Sequence, residues 1–71
     1  MKKSIYHVDA IAGGATYDVD RHFYTVEDAC YAALEGGWDA AEIYRMRIAG
    51  GKVYWDFLGT YSVADDEFTK A

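Results

Sequence analysis

Apolar and polar residues alternate on both sides of Gly50-Gly51, from Glu42 to Tyr61. A period of two around a dipeptide that tolerates positive φ predicts a β-hairpin with a two-residue turn. With Ala49 opposite Lys52, Ile48 faces Val53, Met46 faces Trp55 and Tyr44 faces Phe57, all on one side of the ribbon. That side is expected to be core. The other side then pairs Arg47 with Tyr54, Arg45 with Asp56 and Ile43 with Leu58. A slip of one residue would mix the two sets, so pattern and turn agree on a single register.

A weaker alternation occupies the N-terminal third. Tyr6, Val8 and Ala10 share one parity, and Tyr17, Val19 and Phe23 share the other, so a turn at Gly13-Gly14 places them on a common face with Val8 opposite Val19. The opposite face receives His7, Asp9, Asp18, Asp20 and His22. This register sets Asp9 against Asp18, a repulsive pair that a longer loop, shifting the pairing by two residues, would relieve. Between the two hairpins, Thr25 is placed to cap a helix with Glu27 and Asp28 in its first turn, and Gly36 to end it. Val26, Ala29, Cys30, Ala33 and Leu34 form the inner stripe of that helix; Glu27, Asp28, Tyr31 and Glu35 form the outer one. The elements add up to an α+β fold of order ββαββ, a four-stranded antiparallel sheet with one helix on one face. Residues 1–71 read as a single compact domain, with 64–71 as a frayed tail.

Composition narrows the classes. A chain of 71 residues supports one hydrophobic core. Its 52% apolar and 17% aromatic content is too high for a disordered linker, and no apolar run reaches the roughly 20 residues of a membrane helix. Twelve acids against seven bases, a net charge of −5, argue against direct contact with nucleic acid. The single cysteine closes no intrachain disulfide. The start Met1-Lys2-Lys3-Ser4, followed by strand-like Ile5-Tyr6-His7-Val8, lacks the apolar stretch of a leader, so the expected location is the cytoplasm.

Candidate chemistry is sparse. Imidazoles and carboxylates on adjacent strands, here His7, Asp9, Asp18, Asp20 and His22, are plausible ligands for a divalent ion, but exposed strand positions are ordinarily polar, and no metal or other cofactor is assigned. Neither histidine has a serine or second thiol as nucleophile beside it, and no phosphate-binding glycine motif is present. Asp65-Asp66-Glu67 lacks the alternating ligands and central glycine of a calcium loop. The chain reads as a non-enzyme. What stands out is charge: from Asp9 to Glu42 there are eight acids and one base, Arg21, a charge of −7. Within it, Glu27, Tyr31 and Glu35, flanked by Asp28 and Asp39, are expected to form an acidic patch with an aromatic centre. Asp9, Asp18 and Asp20 form a second acidic surface. Seven tyrosines, of which Tyr24, Tyr31 and Tyr54 are expected to point outward, add contact surface of the kind enriched at protein interfaces.

The length, the acidic balance, the lack of a catalytic motif and the order of strand, Thr-capped helix and the hairpin Tyr44-Arg45-Met46-Arg47-Ile48-Ala49-Gly50-Gly51-Lys52-Val53-Tyr54-Trp55 resemble the small single-domain inhibitors that phages use against bacterial immunity, anti-CRISPR proteins above all. The resemblance is one of organisation over most of the chain, and carries no residue roles. It implies a stoichiometric binder, monomer or homodimer, acting in the host cytoplasm as a nucleic-acid mimic. Its partner would be a protein with a basic nucleic-acid-binding surface, such as a CRISPR effector complex. The reading from another class is a small bacterial regulatory or antitoxin-like interaction module.

Overall fold

A computed structural model describes residues 4–71; Met1, Lys2 and Lys3, which enter the reading of a leader, lie outside the described residues. The chain forms β1 (Tyr6–Ala12), β2 (Ala15–Asp18), α1 (Val26–Gly36), β3 (Ala40–Ala49), β4 (Lys52–Ser62) and β5 (Glu67–Lys70). All five strands pair antiparallel in the order β2-β1-β3-β4-β5. The α+β class and the element order agree with the sequence reading; the number of strands does not. The fifth strand comes from the segment expected to be a frayed tail. Gly59 to Ser62 pair with Glu67 to Lys70, and the Tyr61 hydroxyl donates to Asp66 Oδ1 at 2.6 Å across the intervening turn. That hydrogen bond, with burial and the Asp66 charge, pushes the Tyr61 phenol up to about 12.

The helix is built as its sequence dictates. Thr25 is extended and its Oγ1 accepts from the Asp28 N–H at 3.0 Å, while Gly37 closes the helix in the left-handed conformation. The predicted stop at Gly36 is thus one residue early. Ala29 and Ala33 are fully buried, and their small side chains let the helix lie close to the sheet. Leu34, expected on the same stripe, is 51% exposed instead. Val8 of β1, Ala41 and Ile43 of β3, Tyr61 of β4 and Phe23 complete the core beneath the helix.

The central hairpin keeps its predicted register at six pairs, from Ala49↔Lys52 to Tyr44↔Phe57. Its facing is the reverse of the expectation. Between Ile43 and Tyr44 the register shifts, Ile43 pairs with Gly59 rather than Leu58, and Leu58 is the extra residue of a β-bulge. Ile43 and Ala41 face the helix, so Tyr44, Met46 and Ile48, with Phe57, Trp55 and Val53 across from them, lie on the open face of the sheet. Trp55 is 39% exposed and Ile48 65%.

Length explains why a set of large apolar residues stays uncovered. An eleven-residue helix is about 16 Å long, whereas strands of ten and eleven residues extend about 33 Å or more. Only the proximal half of the β3–β4 hairpin is roofed. Its distal half projects as an arm from a molecule 38 Å long and 24 by 22 Å across. The partner of Asp56 also differs in detail: Arg45 is its backbone neighbour, but the ion pair is made by Arg47, whose Nε donates to Asp56 Oδ2 at 2.8 Å and holds that carboxyl below its usual range.

Candidate functional site on the open sheet face

The N-terminal hairpin places Asp9 directly opposite Asp18, with Ala12 opposite Ala15 around the Gly13-Gly14 turn. The two-residue shift that would separate the carboxylates does not occur; Val19 donates its N–H to the Val8 carbonyl at 3.1 Å, as the short turn requires. The repulsion is met by a side chain. His7 Nε2 lies 2.9 Å from Asp9 Oδ1 and 2.9 Å from Asp18 Oδ1, bridging the two carboxylates. Ionised carboxylates only accept, so these contacts are hydrogen bonds only in the His7 tautomer that carries its proton on Nε2. Among the described residues no lysine or arginine forms an ion pair with either aspartate.

Aromatic rings wall this cluster. The ring of His7 lies 5.7 Å from that of Trp55 and 6.0 Å from that of Tyr44, and His22 stacks on Trp55 at 5.4 Å. Tyr44 in turn packs against Phe57 at 5.3 Å. Burial, the charges of Glu42 and Asp9, and a hydrogen bond to Asp9 push the Tyr44 phenol above its ordinary value. His7, Asp9, Asp18, His22, Tyr44 and Trp55 together line an open cavity of about 500 Å³. Four of the five residues expected on this face thus converge; Asp20 is exposed beyond the end of β2 and outside the lining. Trp55, Tyr44 and Phe57, expected in the core by pattern, stand on this open face instead. Gly59, a lone glycine inside a strand, is the local signal of the bulge that shifts β4 against β3 there.

The second acidic surface forms where the sequence puts it. Glu27, Asp28, Tyr31 and Glu35 are all exposed on the outer side of α1, and the Tyr31 hydroxyl donates to Glu35 Oε1 at 3.2 Å. Asp28, Tyr31 and Glu35 border a groove of about 410 Å³ shared with Arg21, His22 and Tyr24. Asp39 has a structural task instead, accepting the Gly13 N–H at 2.9 Å and tying the first turn to the start of β3. The acids therefore do not make one continuous side. They occupy two surfaces, one outside the helix and one on the opposite, open face of the sheet.

Cys30 sits beside the core, half-buried, and burial together with the charges of Asp66 and Glu27 raises its thiol above the ordinary value. Its thiolate fraction near neutral pH is correspondingly small. A thiol reagent is expected to label the native protein slowly and the denatured protein quickly, monitored by mass spectrometry; rapid native labelling would contradict this account.

Among the described residues no helix is long and apolar enough to cross a membrane. The chain matches no protein-family model, no curated protein and no solved structure.

Proposed function

We propose that this chain is a non-catalytic protein-binding inhibitor that covers a basic, nucleic-acid-handling surface of a bacterial immune complex, in the manner of anti-CRISPR proteins. The observation that carries the reading is the open face of the β3–β4 arm, where Tyr44, Met46, Ile48, Val53, Trp55 and Phe57 form a contiguous apolar surface left without a layer above it. Surfaces of this kind are protein-interaction sites more often than accidents of folding. The same face carries Asp9, Asp18 and Glu42, which supply the complementary charge for a basic partner. Long-range attraction would accelerate encounter, and the aromatic residues would set the lifetime of the complex.

Of the two acidic surfaces, this one adjoins the larger run of exposed apolar residues (Ile48, Val53, Trp55 and Phe57, against Tyr24, Tyr31 and Leu34 beside the helix), so it is assigned the primary role and the helix stripe serves as the comparison. A partner is captured from bacterial lysate with the intact protein, identified, and assayed for nucleic-acid binding with and without the chain. The expected result is loss of nucleic-acid binding, and an association rate that falls as salt rises from low to physiological strength. Charge reversal of Asp9 and Asp18 to lysine should lower that rate, whereas reversal of Glu27 and Glu35 should leave it within about threefold, since isolated exposed charges contribute little. A partner that keeps its nucleic acid, with capture insensitive to salt, would overturn the charge-mimic reading. The regulatory or antitoxin-like alternative uses the same apolar face for a second copy of the chain, and predicts a dimer by sedimentation that dissociates when Trp55 is truncated.

A further inference from the structure

The opposed aspartates on β1 and β2 are a costly arrangement, since like charges facing each other across strands are destabilising and the short Gly13-Gly14 turn enforces the pairing. Something cationic belongs between them. In the structure that place is taken by His7 Nε2, 2.9 Å from each carboxylate oxygen. The geometry points to a second occupant: we propose that His7, Asp9 and Asp18 form a binding site for a divalent transition-metal ion of the zinc class.

Three features support this. The donor atoms of His7, Asp9 and Asp18 all lie within 4.8 Å of one another. Tetrahedral ligands on an ion with bonds of about 2.0–2.1 Å stand about 3.3–3.4 Å apart, so the two observed separations of 2.9 Å open by roughly half an ångström to admit it. Small side-chain rotations suffice to admit the ion. The ligand set is also chemically selective. One imidazole with two carboxylates suits zinc, cobalt or nickel, whereas calcium and magnesium take oxygen ligands alone.

Third, aromatic rings wall the donors on one side. The Trp55 ring stands 5.7 Å from the imidazole of His7 and the Tyr44 ring 6.0 Å from it. The cavity in front of the three donors is open, leaving room for water or a partner's side chain in the remaining coordination positions. His22, whose ring centroid is 6.1 Å from that of His7, lines the cavity but lies outside the donor set. The site does not depend on the partner reading above; it requires only the β1–β2 register and the His7 rotamer.

The test uses untagged, metal-free protein titrated with Zn²⁺ by calorimetry, and with Co²⁺ while the imidazole resonances of both histidines are followed by NMR. One saturable ion per chain is expected, with the perturbation centred on the His7 ring. Asp18 is 81% exposed at its side chain, so Asp18→Asn is a substitution the fold tolerates, and it also removes the repulsion. It should weaken zinc binding roughly tenfold or more while the melting transition of the metal-free protein stays unchanged or rises; His7→Gln should weaken binding likewise. His22→Gln should change it less than about threefold, a second-sphere effect at most. Absence of saturation at millimolar zinc, equal binding by the wild type and the Asp18 and His7 variants, or a Co²⁺ perturbation centred on His22 would each overturn the proposal.

Discussion

Gly59→Ala is expected to be among the most damaging single substitutions in this protein, costing about 3–5 kcal/mol. Two effects combine. Gly59 has φ 154°, a conformation that residues with a side chain rarely adopt, worth about 1–3 kcal/mol when forced. A Cβ built there would also collide with the Thr69 carbonyl oxygen and stand 2.9 Å from the Phe68 ring. The first contact decides the outcome: a backbone oxygen in a paired strand cannot rotate aside as a side chain can. Relief requires β5 to separate from β4, which costs the Gly59↔Lys70 and Thr60↔Thr69 pairings and loosens Phe68 over the core. Overpacking strain of this kind adds about 1–3 kcal/mol. A chain of this length has about 4–10 kcal/mol in total, so the variant should be partly unfolded or denature at much lower urea. Hydrogen exchange should show the loss first at the amides of residues 67–70. A wild-type urea midpoint would mean that β5 is not paired as described.

Gly59 also shows where the sequence is legible and where it is not. Local signals read well: the Thr25 cap, the acids of the first helical turn, the double-glycine turns and six pairs of the central hairpin all follow from spacing and turn chemistry. The face of that hairpin does not. Tyr44, Met46, Ile48, Val53, Trp55 and Phe57 outweigh Ala41, Ile43 and Tyr61 in apolar bulk, so any argument from hydrophobicity chooses them as core. Which side is buried depends instead on where an eleven-residue helix can lie, and that is a tertiary fact. The helix settles over Ala41 and Ile43, near the bulge, and the small Ala29 and Ala33 of its inner stripe pack against them. The fifth strand was hidden for a related reason. Glu67-Phe68-Thr69-Lys70 has little apolar weight, and its place is secured by pairing with β4 and by the Tyr61–Asp66 bond, neither of which leaves a local pattern. The metal-like cluster was legible as a face but not as a geometry. The opposition of Asp9 and Asp18 can be read from the turn, yet it looks like a defect until His7 is seen between them.

Trp55→Ala separates folding from binding, and the structure reverses the expectation that pattern alone would set. As a core residue under the helix, Trp55 would cost about 3–5 kcal/mol of stability on truncation. On the open face it is 39% exposed, and its neighbours are His22 and His7 rather than the buried cluster. Truncation leaves a surface indentation that water fills, not an internal cavity. The expected loss of stability is therefore about 1 kcal/mol, of the order of a cross-strand aromatic pair. Binding should respond far more. Large aromatic residues near the centre of an interface commonly account for 2–4 kcal/mol each, so partner affinity is expected to fall by a factor of about 30 to 1,000. The loss should appear in the dissociation rate, because the acids that govern encounter are untouched. Ile48→Ala, further out on the arm and 65% exposed, should show the same separation at smaller size. A Trp55 variant that unfolds would place the residue in the core after all; one that folds and still binds its partner at wild-type affinity would remove the arm from the interface and leave the outer helix stripe of Glu27, Tyr31 and Glu35 as the binding surface.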